Sequence, residues 1–202
     1  MALQTIANPV QVQQKIRRSL FHGFLFPCAD AETAKALISA HAKECSSATH
    51  NCFAYICGYR QEIQYYSDSG EPHGTAGKPL LNALRGAELT NVLAIVSRYY
   101  GGVKLGVPGL IEAYGSTAEQ AVAQAELIPA IEQSRFIVIA EYALVEQLSS
   151  MVQSLQGTVL EAIWTERAEL TLLVPVQTAG KLKEFLDGLR RQSRLDYRYE
   201  ET

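Results

Sequence analysis

The 202-residue sequence is short of several things, and each shortage removes a class of explanation. It has four cysteines, Cys28, Cys45, Cys52 and Cys57. In a chain this long, so few thiols do not form the disulfide framework of a small secreted domain, and they fit a reducing, cytoplasmic setting. No apolar run approaches the roughly 20 residues a membrane span needs, so no membrane contact is expected. The first residues lack the basic stretch and following apolar stretch of a secretory leader. Charge of one sign is also scarce: 18 Lys and Arg stand against 21 Asp and Glu, a net charge of −3. That disfavours a protein held to nucleic acid mainly by phosphate contacts, which usually carries a basic surplus or stripe, and leaves room only for a local basic patch. Internal repeats and low-complexity tracts are missing too.

Ordinary globular material fills the rest. Hydrophobic residues make up 48% and charged residues 19%, enough for a packed core. The length allows one or two domains. Residues 10–13 and 21–26 read as strands. Asp30 caps a helix whose Ala36, Leu37, Ala40 and His41 fall on one face. Residues 52–57 form a short buried strand and 63–67 another. Residues 92–96 are continuously apolar, the pattern of a central strand covered on both faces. Two glycine- and proline-rich stretches interrupt this regularity, at 67–79 and 97–109. Each leads from a strand into a helix. Leu80, Leu81 and Leu84 line the first helix. In the second, Pro108 sits in the first turn and Leu110, Ile111, Tyr114, Ala118, Ala121 and Val122 recur at helical spacing.

The pattern breaks over 128–134, around Pro129, which places a domain boundary between residues 1–130 and 135–202. Beyond it, strands are expected over 135–144, 159–164, 170–176 and 195–199, with helices over 145–155 and 178–191. The order β-α-β-β-α-β is that of a ferredoxin-like domain.

The familiar chemical fingerprints fail. Gly77-Lys78 could sit inside a phosphate-binding P-loop, but Pro72 and Pro79 occupy its first and last positions. Gly101 and Gly106 have the P-loop spacing without its lysine, and neither stretch is G-x-G-x-x-G. His50, Cys52, Cys57, His73, Asp68 and Glu71 do not show paired zinc-ligand spacing, and Cys52 and Cys57 point to opposite faces of one strand. No metal and no cofactor are expected. Ser67 or Ser69 with His50 or His73 and an acid has the residue types of a nucleophilic triad, without a nucleophile-elbow motif. The same side chains also cap turns.

Binding is the better-supported chemistry of the two loops. Successive glycines let backbone N–H groups approach a ligand closely. Arg98 offers a planar donor fork and Lys104 a mobile cation. The helix near Pro108 presents free N–H groups and the positive end of its dipole. Tyr99, Tyr100 and Tyr114 suit base stacking or a protein interface. Glu71 is also placed to pair with Arg98. The candidate binding residues are Asp68, Glu71, Gly74, Thr75, Gly77 and Lys78 from the first loop. The second loop and its helix add Arg98, Tyr99, Gly101, Gly102, Lys104, Gly106 and Tyr114.

These two stretches, in this order, with His50, Asn51 and Cys52 on the strand before them, resemble the paired signature of the IMPACT family, in its two-domain bacterial form. The resemblance covers about two thirds of the chain. It implies an α+β protein. The N-terminal part would be a β-α sandwich like the second domain of a small-subunit ribosomal protein and ribonuclease PH. The C-terminal part would be a ferredoxin-like domain similar to the last domain of elongation factor G. Eukaryotic relatives regulate translation by interfering with activation of an initiation-factor kinase. The carried-over motif positions are the candidate residues above except Lys78, together with Gly70, Pro72, Leu105, Gly109 and Leu110. Three positions depart from the pattern. Ser69 replaces a second acid, Leu20 a basic residue, and Pro108 a glycine, which fixes φ in the second loop.

The reading that follows is a translation-linked regulatory binding protein, a monomer or weak oligomer. It would contact RNA, the ribosome or a translation-regulating protein through the two loops. The alternatives are a hydrolase using Glu71, Asp68 and a histidine, and a protein-interaction module without nucleic acid.

Overall fold

The computed structural model describes residues 3–200. The chain divides into two compact units, Met1–Ala130 and Ile131–Thr202.

The first unit contains strands β1 (Gln4–Ile6), β2 (Val10–Ile16), β3 (Ser19–Pro27), β4 (His50–Cys57), β5 (Ile63–Ser67), β6 (Val92–Tyr99) and β7 (Leu127–Pro129). Its helices are α1 (Ala31–Glu44), α2 (Gly77–Gly86) and α3 (Gly106–Gln124). Five strands form an antiparallel sheet in the order β2-β3-β6-β4-β5. The apolar run on β6 therefore lies at the centre. Its side chains alternate, as a strand requires. Val92, Ala94 and Val96 join the core beneath α2 and α3, while Leu93 and Ile95 join a second core beneath α1. Cys52 and Cys57 likewise fall into different cores.

Asp30 caps α1 by accepting a hydrogen bond from the Thr33 amide at 2.7 Å. The buried face of α1 is turned from the expected one. Ala34 and His41 are buried and Leu37 and Ile38 pack against the core, whereas Ala36 and Ala40 are exposed. The i, i+3/i+4, i+7 row through Ala34 carries more apolar area than the row through Ala36. In α3, Leu110, Tyr114, Ala118 and Ala121 are buried together with Ala113 and Thr117, but Ile111 is 43% exposed. Two short strands escape the sequence pattern: β1 pairs with β7 to form a separate two-stranded ribbon.

The second unit contains β8 (Gln133–Ala140), α4 (Val145–Ser154), β9 (Thr158–Trp164), β10 (Ala168–Pro175), α5 (Val176–Arg190) and β11 (Leu195–Glu200). The sheet order is β11-β8-β10-β9, all antiparallel, so each strand-helix-strand crossover skips one strand. Phe136, Val138, Leu170, Leu172 and Val174 from the sheet meet Leu148, Val152, Leu182 and Leu186 from the helices. The strand expected over 135–144 stops at Ala140, and Tyr142–Leu144 forms a 3₁₀ turn that buries Leu144.

Candidate functional site

The first loop is built around a carboxylate. Asp68 follows β5, and its Oδ1 accepts from the amides of Ala76 (3.0 Å) and Gly77 (2.8 Å). Its Oδ2 accepts from the Gly74 amide at 2.8 Å. Ala76, at the N-cap of α2, has no capping side chain of its own, so Asp68 supplies from a distance what a cap residue usually supplies locally. The Thr75 hydroxyl is buried and donates to the Pro72 carbonyl at 2.7 Å. Gly77 is required by close approach: a Cβ there would meet the Ser67 backbone at 2.7 Å. The N–H groups that the sequence offers to an external anion at α2 are thus taken by an internal one. Lys78 is exposed on α2 and does not line the cavity described below.

The second loop starts from Arg98 on β6. Arg98 is 5% exposed, and its Nη1 donates to Glu71 Oε1 at 2.6 Å. Tyr114, fully buried on α3, donates its hydroxyl to the same oxygen at 2.8 Å. Phe21 and Tyr100 place their rings 5.6 and 5.2 Å from the guanidinium carbon. Both favour the cation through the negative ring face. The Arg98 Nη2 donates to Ser19 Oγ at 3.4 Å, and the Gly101 amide donates to that hydroxyl at 3.3 Å. Gly101 passes so close to the Arg18 carbonyl that a Cβ would collide with it. Arg17 reaches back and donates to the Lys104 carbonyl at 3.3 Å. The second loop is therefore packed onto the β2–β3 turn. Gly102 and Gly106 hold φ of +83° and +73°.

Tyr99 lies outside this group. It alternates with Arg98 along β6, and its ring packs 5.3 Å from that of His22.

Burial sets the electrostatics. It pushes the Cys52 thiol up to about 12, with the neighbouring Glu71 and Asp68 carboxylates adding to the shift. The thiol donates to the Asp68 carbonyl at 3.0 Å. Burial first, then Cys52 and Glu71, drive the Tyr114 phenol far above its ordinary value, so it stays protonated and acts as a donor. His50 Nδ1 lies 2.9 Å from the Ser69 carbonyl. A carbonyl only accepts, so that nitrogen carries a proton and Nε2 turns toward Glu71 Oε2, 4.0 Å away.

Glu71, Arg98, Lys104 and Gly106 line one cavity of about 480 Å³. Of its other walls, His50, Pro72, Leu105 and Leu110 are signature or motif positions outside the candidate binding set, and only Thr49 and Val107 carry no signal in the sequence. Tyr100 also lines it. The floor is the Glu71–Arg98 pair and the mouth carries Lys104, which is exposed. Arg98 is correspondingly not a free donor fork, because its charge is neutralised by Glu71, each of its Nη atoms donates inside the fold, and its buried Nε has no partner there. Asp68 and one oxygen of Glu71 are likewise committed to internal donors, so among the groups lining this cavity a general-base role falls to Glu71 Oε2 or His50.

Comparison with known proteins places this geometry. Residues 17–122 match the model of the Impact N-terminal domain. The Escherichia coli IMPACT family member YigZ is 33% identical over 190 residues, covering 93% of this chain and 92% of that protein. The rabbit (Oryctolagus cuniculus) Protein IMPACT is 41% identical over 95 residues, covering 45% of this chain and 29% of that protein. A crystal structure of a hypothetical protein superposes with a TM-score of 0.70 at 30% identity, covering 98% of this chain and 97% of that one. The family match takes in β3 to α3, and so every residue of the Glu71–Arg98–Tyr114 cluster and its cavity. This chain belongs to the IMPACT family.

Proposed function

We propose that this protein is a regulatory binding protein of the translation apparatus, and that the cavity over the Glu71–Arg98 pair is its contact surface. One observation carries the reading: two loops, separated in sequence, converge on one buried ion pair and leave an open, apolar-walled recess above it. A buried pair of this kind makes a rigid floor, and exposed Tyr100 and Val107 offer apolar area at the rim. Because Arg98 is already neutralised, the recess suits an apolar side chain of a partner protein better than a run of phosphates. Membership of a family whose eukaryotic relatives regulate translation supplies the context. In the same reading the first unit is a β-α sandwich like the second domain of a small-subunit ribosomal protein. The second unit, with its strand-skipping crossovers, is a ferredoxin-like domain similar to the last domain of elongation factor G. The protein works in the cytoplasm as a monomer or weak oligomer.

RNA is the second reading, and Arg17, Arg18 and Lys104, grouped where the second loop packs on the β2–β3 turn, favour it. Co-sedimentation with ribosomes at low salt tests both readings. The wild-type protein is expected in the ribosome fraction, and Val107→Glu combined with Lys104→Glu is expected to leave it there at background level only. Retention after nuclease treatment identifies a protein partner, and release identifies RNA. If the wild-type protein never co-sediments, or the double variant sediments as well as wild type, the cavity is not the contact surface.

A further inference from the structure

The solvent side of the α2–α3 pair carries a groove of about 840 Å³. Its depth comes from small residues. Ala83 and Gly86 on α2 face Gly115 on α3. A Cβ at Gly86 would meet nothing within 4 Å, and one at Gly115 only Pro79 at 3.9 Å. Small residues in two adjacent helix surfaces leave a trough into which the ridge of a third helix fits. Ile111 stands 43% exposed at the groove although its neighbours Leu110, Ala113 and Tyr114 are buried. The trough is thus open, with an apolar strip of Pro79, Ala83, Ala87, Ile111 and Val122 beside the polar Asn82 and Ser116.

Its charge has one sign. Among the described residues, Glu112 and Glu119 are the only charged ones that line it, and no lysine or arginine does. Among the described residues neither carboxylate takes part in an ion pair or side-chain hydrogen bond. They are seven residues apart on α3, which is two turns and about 10.5 Å of rise, on the same side of the helix. Two unpaired anions at that spacing beside an apolar strip are complementary to a helix with an apolar ridge flanked by cations two turns apart.

We propose that the α2–α3 groove is a docking site for a basic amphipathic helix of a partner protein, with the ridge seated over Gly86 and Gly115 beside Ile111 and its cations against Glu112 and Glu119. This surface is separate from the Glu71–Arg98 cavity, so either can fail without the other.

The probe is a synthetic amidated peptide of about 18 residues, long enough to hold a helix, with a Leu ridge and Lys at positions i and i+7. A second peptide carries Glu in place of both Lys. Fluorescence anisotropy against the full-length protein is expected to show saturable binding of the Lys peptide and none of the Glu peptide. Gly86→Leu fills the trough where there is room, and Glu112→Lys with Glu119→Lys reverses the exposed charges. Each change is expected to weaken binding about tenfold or more, equivalent to about 1.4 kcal/mol. Unchanged thermal midpoints show that the variants fold. The proposal is overturned if the Lys peptide does not bind, or if it binds Gly86→Leu as tightly as wild type. Concentration-dependent dimerisation abolished by Gly86→Leu also overturns it, because the occupant would then be a second copy of this chain.

Discussion

Glu71 and Arg98 show how a single pair can be both recognised and misread. The sequence places them in two motifs that belong together, and the structure joins them at 2.6 Å. Read residue by residue, however, Arg98 is an open donor fork and Asp68 a ligand-facing acid. Both turn inward, because the partners that consume them, Glu71 and Ser19 for Arg98 and the amides of Gly74, Ala76 and Gly77 for Asp68, become neighbours only on folding. Breaking a buried pair leaves one charge without compensation, which typically costs about 3–5 kcal/mol. Glu71→Gln should therefore lower the unfolding free energy by roughly 3 kcal/mol. Adding Arg98→Met should return part of that loss, since the orphaned cation is removed as well. Urea midpoints of the two variants and of Arg98→Met alone close the cycle. An additive double variant would mean that the ion pair contributes no coupling of its own.

At the scale of elements, periodicity matches the five α-helices among the described residues and the long strands, but not the 3₁₀ turn at Tyr142–Leu144. Rules of period failed where the element was too short or the apolar rows competed. Three-residue strands such as β1 and β7 carry no alternation to detect, and α1 had two candidate rows, of which the one through Ala34 and His41 is the buried one. That row ties α1 to the central sheet through a polar chain. His41 Nε2 lies 2.7 Å from Ser97 Oγ, which donates to Asn51 Oδ1 at 2.6 Å, so the imidazole is the donor to Ser97. The Phe24 ring sits 4.5 Å away, edge to the imidazole. Burial lowers the His41 pKa, with Glu44 opposing the shift. A lowered folded-state value means that the unfolded chain binds the proton more readily. The stability this group contributes is therefore complete above its ordinary value and is lost as pH falls through the folded one. Urea midpoints should fall between about pH 7.5 and about pH 5.5, a window around the usual histidine value. They should fall less in His41→Gln, which keeps a donor for Ser97 without titrating. Equal slopes in the two proteins would remove His41 as the source.

For the whole molecule, the chain divides between Ala130 and Ile131, next to Pro129, where helical spacing stops. What the sequence could not show is that the cavity walls come from five separate segments, residues 49–50, 71–72, 98–100, 104–107 and 110. All five lie in the first unit, whose core clusters contain no residue of the second. Residues 1–130 alone should consequently unfold in one cooperative thermal transition and retain the contact activity of the cavity. A fragment from Asn8 to Ala130, which lacks β1, should melt at a lower temperature, as differential scanning calorimetry would report. A non-cooperative transition for residues 1–130 would show that the first unit needs the second to fold.

The ribbon of β1 and β7 makes the first unit a ring in all but covalent bond. Gln4 lies opposite Pro129, and the Ala130 amide donates to the Leu3 carbonyl at 3.0 Å. The chain enters and leaves this unit side by side, at the spacing of neighbouring strands. Such a module can be cut at a surface turn and rejoined across its old ends, or spliced into a loop of another protein, without stretching either partner. Its architecture is thus indifferent to what precedes or follows it, and one pair of short strands is enough to make it portable.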